Sequence, residues 1–473
     1  MAEVNLTQLA YLEWQKTAEL ERQKEVKRSR DYYEGEQVIT LTARMLKLLG
    51  LTAADKMSYR LNIIRTIVRA ITERLSVQGF DSNDDAIRTW AEATWKANLL
   101  NIKQDSIYDG SVNEGESFVL VDWVEGGQYA RFIPHPRYVD PQAGGDGFGC
   151  KVMYENDDIN QPVMYAVKRW REELGQGKVR SRLTRYYPDR IEKYYLDGEW
   201  KPFRDEGDTA WPIPWVGKDG LPLGVPVFHF MNPDERPEAI DAWGPQDGLI
   251  NAFVDLMAGN RVGAFRILVA LGFVPTTDGK PLNADASNAL QVEPGMVLGT
   301  TKGPNEVAFS ALEGTTPTAF LETLDKIIYF AAITTDTPIS RFQITGQVSS
   351  AETQKEYGKP LVGKIEKRQE RFGAAWADAM MMALKLHRLY GQNAPAETQD
   401  QSPLYARWLP AQERTLADRQ TQTTAMKAAG FPEEEIWRQA WDYSDQEIME
   451  LKKEDSYKRK VEQTNVLGSF GNG

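Results

Sequence analysis

Ser349, followed three residues later by Glu352, forms a capping box at the head of a run of helical periodicity from Ser350 to about Tyr390. Forty residues of helix span roughly 60 Å. Leu361, Ile365, Phe372, Trp376, Met380 and Leu384 keep one apolar stripe along it, so other parts of the chain, or another copy, must cover that length. Pro360, flanked by Gly358 and Gly363, is expected to kink the first third. The basic residues of the run (Lys355, Lys359, Lys364, Lys367, Arg368, Arg371) interleave with Glu352, Glu356, Glu366 and Glu370. Such interleaving reads as a solvated, ion-paired helix face rather than a track for DNA.

The chain leading to this helix alternates between helical and extended patterns, an α+β class. Residues 4–33 read as a helix closed by the glycine of Tyr-Tyr-Glu-Gly-Glu-Gln at 32–37, and further helices are expected over residues 62–75 and 84–100. From Ser106 to Val124 the pattern turns to β, with residues 115–124 as a buried strand. Residues 130–230 form short alternating runs, with Asp197-Gly198 as a hairpin signal, so an antiparallel sheet is expected there. A helix is expected from Pro245 to about Ala270, and residues 271–314 then read as short strands and turns, including a Pro294-Gly295 turn.

Thr316 as N-cap and Pro317 at the first position open another helix, carrying Phe320, Leu324, Ile327, Ile328 and Ala331 at helical spacing. Next comes Thr337 to Ser350, fourteen residues with a single charge, Arg341, where the chain's 26% charged content would put about four. Residues 391–403 form a polar linker. The tail beyond is helical again, interrupted at Gly430-Phe431-Pro432, with a second capping box at Ser444 and Glu447.

At 473 residues the chain holds roughly three domains' worth of material. Lys plus Arg number 56 against 68 Asp plus Glu, a net charge of −12, which argues against a protein that grips nucleic acid by neutralising phosphates. Cys150 is the single cysteine, so no internal disulfide forms and a cytosolic origin is the default. No signal peptide and no apolar stretch of spanning length is visible, so a soluble protein is expected.

No Gly-Lys pair is followed by Ser or Thr, which removes the P-loop, and no HExxH, CxxC or EF-hand loop occurs. His135, His229 and His387 lie far apart and read as structural. A carbohydrate-active hydrolase, using a carboxylate pair in the aromatic-rich region 80–233, stays open as the enzymatic alternative. It requires two close carboxylates in a tryptophan-lined cleft.

The order helix, β insert, helix, low-charge loop and very long helix, preceded by a mixed α/β region, carries a resemblance. With it come residues 62–80, 115–121, 243–249, 292–297 and 349–373. This chain resembles the portal proteins of tailed bacteriophages over roughly residues 30–390. The resemblance implies a wing (1–244), a first stem helix (245–270), a clip (271–314), a second stem helix (315–336), a tunnel loop (337–350), the long kinked helix (351–390), and a helical crown and tail (391–473).

On that likeness Arg341, Phe342, Gln343, Ile344, Thr345, Gly346, Gln347 and Val348 would face a DNA channel. Val292, Glu293, Pro294, Gly295, Met296 and Val297 would belong to the clip. The implied partners are eleven further copies in a dodecameric ring, the terminase large subunit, a head-completion or tail adaptor, the capsid and scaffold proteins, and double-stranded DNA passing without sequence-specific binding. No cofactor, no metal, no membrane and no enzymatic activity are implied, and the place is the virion, after assembly in the host cytoplasm. The acidic balance then acquires another reading: it disfavours holding DNA but not letting it pass.

Overall fold

The structure is a computed structural model describing residues 17–38, 52, 61–136, 149–175, 177–208, 210–264, 267–271, 276–277, 280–281, 308–312, 317–342, 351–396, 404–412, 414–443, 447–448 and 451–452. Contacts divide the chain into two units. One comprises Met1–Glu34, Ile64–Ile240 and Thr335–Gly473, the other Gly35–Ile63 and Asp241–Thr334.

The first unit opens with α1 (Thr17–Glu34), α2 (Ile64–Thr72), β1 (Val77–Asp81), α3 (Asp85–Ala97), α4 (Leu100–Glu114), β2 (Glu116–Asp122) and β3 (Arg131–Pro136). Asp84 caps α3 by accepting the Ala86 and Ile87 amides. Residues 106–114, expected as β, are helical instead. Four polar residues of α4 (Gln104, Ser111, Asn113 and Glu114) are buried, so its helical period is invisible to hydropathy. Gly115 ends it at φ 94°, and a Cβ there would lie 2.5 Å from the Glu235 carbonyl oxygen, so only glycine fits.

The expected antiparallel region follows as β4 (Cys150–Tyr154), β5 (Val163–Glu173), β6 (Val179–Tyr186), β7 (Arg190–Asp197) and β8 (Glu199–Pro202), in sequential order, with the short β9 (Ile213–Pro214) against β7. Gly198 sits at the β7–β8 turn with φ 69°. Met153, Tyr165, Val167, Leu183 and Tyr194 form this sheet's own core. The chain then returns as β10 (Val227–Met231), which pairs with β2 and completes the order β10-β2-β3.

The second unit is built on α5 (Trp243–Ala264) and α6 (Pro317–Thr334), which pack antiparallel: Gly259 faces Phe320 and Gly248 faces Ile327. Gln246 holds residues 61–63 to α5, its Oε1 accepting the Ile63 amide at 2.9 Å while its amide donates to the Leu61 carbonyl. The helix expected to reach Ala270 ends at Ala264. Residues 267–271 form β11, whose apolar Ile-Leu-Val-Ala-Leu sequence pairs with β14 (Ala308–Leu312) in the register Ile267↔Leu312 to Leu271↔Ala308, so long-range pairing overrides the helical pattern. Between them lie the two-residue strands β12 (Thr276–Thr277) and β13 (Lys280–Pro281).

Back in the first unit, α7 (Ala351–Tyr390) runs as one continuous 40-residue helix containing Pro360. Its expected stripe is fully buried, and Phe372, Trp376 and Met380 have no exposed surface. Phe372 stacks on Tyr108 with centroids 5.6 Å apart, and the Trp376 Nε1–H donates to the Tyr108 hydroxyl at 2.8 Å. Burial pushes the Tyr108 hydroxyl well above its usual range. The tail contributes β15 (Tyr405–Trp408), unanticipated from its sequence, antiparallel to β1, then α8 (Leu416–Ala428) and α9 (Glu433–Trp441) around the Gly430 stop. The capping box at Ser444 lies outside the described residues.

Candidate functional site

The low-charge loop begins where α6 ends. Thr335 and Thr337 are buried, their hydroxyls 2.9 Å apart, and Asp336 between them takes a left-handed φ of 51°. An aspartate tolerates that conformation better than most residues. Pro338 then leads a short 3-10 turn over Ile339–Arg341, closed by the Arg341 amide donating to the Pro338 carbonyl at 2.9 Å.

Two residues one turn apart on α7 pin this loop base. Lys364 Nζ reaches the Thr335 carbonyl at 3.0 Å, Asp336 Oδ2 at 3.1 Å and Glu238 Oε1 at 3.0 Å. Arg368, 2% exposed, donates from Nη2 to Glu238 Oε2, from Nε to Asn232 Oδ1 at 2.8 Å, and from Nη1 to the Lys364 carbonyl at 2.8 Å. Asn232 in turn donates to the Arg236 carbonyl at 2.7 Å. Burial pulls the Arg368 pKa below its usual value, and the Glu238 carboxylate opposes that fall.

Lys364 and Arg368 therefore depart from the solvated face expected of them, whereas Lys359 follows it, pairing with Glu356 at 2.6 Å on the surface. The departure has a signal in the sequence: Arg368 stands seven residues after Leu361 and four before Phe372, inside the apolar stripe. Glu238 and Asn232 carry no such signal.

Of the eight loop residues singled out, the structure describes Arg341 and Phe342, both half-buried. Arg341 Nη1 lies 3.0 Å from Glu73 Oε2, just past the end of α2. Gln343, Ile344, Thr345, Gly346, Gln347 and Val348 lie outside the described residues, as do the clip residues Val292, Glu293, Pro294, Gly295, Met296 and Val297.

Other polar groups among the described residues tie elements of the fold together. His387 accepts the Trp90 Nε1–H at Nδ1, 2.5 Å away, and donates from Nε2 to the Gln392 carbonyl at 2.9 Å, tying down the end of α7. His229 lies between Glu116 and Tyr154, 2.9 Å from each. Asp205 and Asp208 converge on Lys193 at 2.7 and 3.0 Å. Burial would raise the Asp205 pKa, but the Lys193 hydrogen bonds and charge outweigh it and hold the carboxyl below its usual range, the opposite of what a general acid needs. Among the described residues no cluster of three or more His, Cys, Asp or Glu could hold a metal, and no helix is long and apolar enough to cross a membrane.

A family model, phage portal protein of the SPP1 Gp6-like type, matches residues 12–460. The chain belongs to this phage portal protein family. As a portal-family chain it is a head–tail connector component of a virion, and the family match does not support the hydrolase alternative. No curated protein matches it. Solved structures loosely similar to it include two from gene transfer agent particles. The neck of an empty GTA particle shares 13% identity over 80% of this chain and 90% of that one, at a TM-score of 0.36. The virion of a native gene transfer agent (GTA) particle shares 14% over 87% and 97%, at 0.37. The portal assignment rests on the match over residues 12–460.

Proposed function

We propose that this portal-family chain assembles head to tail into a closed ring at one vertex of the capsid, most simply of twelve copies, and that double-stranded DNA enters and leaves through its channel. Residues 337–350 form the collar around the DNA. The segment containing Val292–Val297 meets the terminase large subunit during packaging and a head-completion or tail adaptor afterwards. Capsid and scaffold proteins surround the ring as it forms in the host cytoplasm. The chain performs no chemistry of its own, and the packaging energy comes from the docked ATPase.

The observation that carries this reading is the outer face of α6. Leu321, Tyr329, Phe330 and Ile333 are 51–60% exposed there, on a helix that already packs its other side against α5. An apolar face of that size on one helix calls for a partner, and a ring requires a heterologous contact that repeats and closes. Covering the exposed half of each such side chain contributes about half of the roughly 1.5–3 kcal/mol that full burial gives. The loop supports the same reading, since a collar for a moving polyanion profits from small polar and apolar groups with little charge.

Native mass spectrometry and negative-stain imaging of the full chain test the proposal. Rings are expected from the wild type, and Phe330→Asp with Ile333→Asp is expected to give folded, unassembled chains. A wild type that stays monomeric at high concentration, with capsid and scaffold proteins present, overturns it.

A further inference from the structure

Arg341 is the single formal charge among residues 337–350, and it is engaged. Its Nη1 sits 3.0 Å from Glu73 Oε2, the guanidinium 30% and the carboxylate 52% exposed. Glu73 stands just beyond the C-terminal end of α2. It follows Thr72, the last residue of α2, and its amide still donates to the Arg69 carbonyl, which places a carboxylate at the helix's negative end, where the backbone dipole disfavours it. Among the described residues, its side chain is hydrogen-bonded to the cation of a loop base 268 residues away.

We infer that Glu73 is an internal counter-ion for Arg341, a residue that sets how strongly the collar holds DNA. The inference rests on the proposed channel role of the loop. A guanidinium facing a duplex binds phosphate bidentately, and each such contact releases counterions and holds the polymer. A carboxylate already occupying the guanidinium turns that contact into an exchange, in which phosphate displaces Glu73 and Glu73 displaces phosphate in turn. An exposed pair of this kind is weak enough to break at every step of the passing DNA. The collar then keeps a cation at the DNA surface without keeping the DNA.

The test uses rings of the full chain, a short duplex DNA and a salt titration of its association with the channel. Glu73→Gln preserves size and removes the competing charge. For that variant the slope of log affinity against log salt is expected to steepen by about 0.9 for each subunit whose Arg341 reaches a phosphate. Glu73→Gln with Arg341→Gln is expected to fall back to the wild-type slope or below. A Glu73→Gln ring with an unchanged slope overturns the inference, as does a double variant that stays steep.

A second measurement separates this failure from failure of the channel reading. Cys150 is buried, so Ser340→Cys, at an exposed position, can be labelled with a DNA photocrosslinker. Crosslinking with an unchanged slope refutes the role of Glu73 alone, whereas absence of crosslinking refutes the channel position of the loop and the inference with it.

Discussion

Arg368→Met removes a buried cation from the network at the loop base, and its cost can be worked from the contacts. Glu238, 8% exposed, keeps only Lys364 at 3.0 Å, and the Asn232 Oδ1 loses its 2.8 Å donor. Leaving one member of a buried pair behind typically costs 3–5 kcal/mol, of which an orphaned acceptor accounts for roughly 1–3. Because Lys364 still compensates part of the Glu238 charge, about 3–4 kcal/mol is expected. At about 2 °C per kcal/mol for a large unit, the transition should fall by roughly 6–8 °C.

The assay is thermal unfolding followed by tryptophan fluorescence, since Trp376 is fully buried eight residues further along α7. Replacing both partners, Arg368→Met with Glu238→Met, should recover most of the loss, because an apolar pair of similar volume needs no compensation. A single variant that melts with the wild type, or a double variant whose loss equals the sum of the singles, would show that the network does not hold the loop base.

Deleting Phe342–Gln347 is expected to leave ring assembly intact and to impair DNA packaging or retention in a packaging assay; loss of the ring would give the loop a structural role instead. His135 yields a pH dependence. Burial, aided by Lys168, pushes its pKa down to about 3, so the folded chain takes up this proton later than the unfolded chain, whose value is about 6.5. The stability that depends on neutral His135 is therefore present above about pH 6.5 and lost as the pH falls toward 3, with a slope of at most about 1.4 kcal/mol per pH unit. His135→Gln should flatten the fall of the melting temperature between pH 6.5 and 4, and an unchanged profile would place this histidine in contact with water.

The long helix shows how far a local pattern reaches. Leu361 to Leu384 could be assigned to one buried face because burial on a helix recurs every 3.6 residues, which is visible within a single stretch of sequence. The same rule places Arg368 on that face, although its charge groups it with Lys359. What decides between the two is a carboxylate 130 residues away, and no local pattern reports it. α4 failed in the opposite sense: its buried Gln104, Ser111 and Asn113 hide a helix that hydropathy alone reads as strand.

Segment order, helix starts at Asp84 and Pro317, the Asp197-Gly198 hairpin and the charge-poor loop were determined by the sequence alone, because caps, turns and periodicity act over a few residues. Only the tertiary structure decided that β15 pairs with β1, that residues 267–271 leave their helix for β14, that Lys364 and Arg368 anchor the loop, and that Arg341 meets Glu73. Each of these is a contact between segments far apart in the chain. Its free energy depends on which groups lose water together, and that is settled when the segments pack.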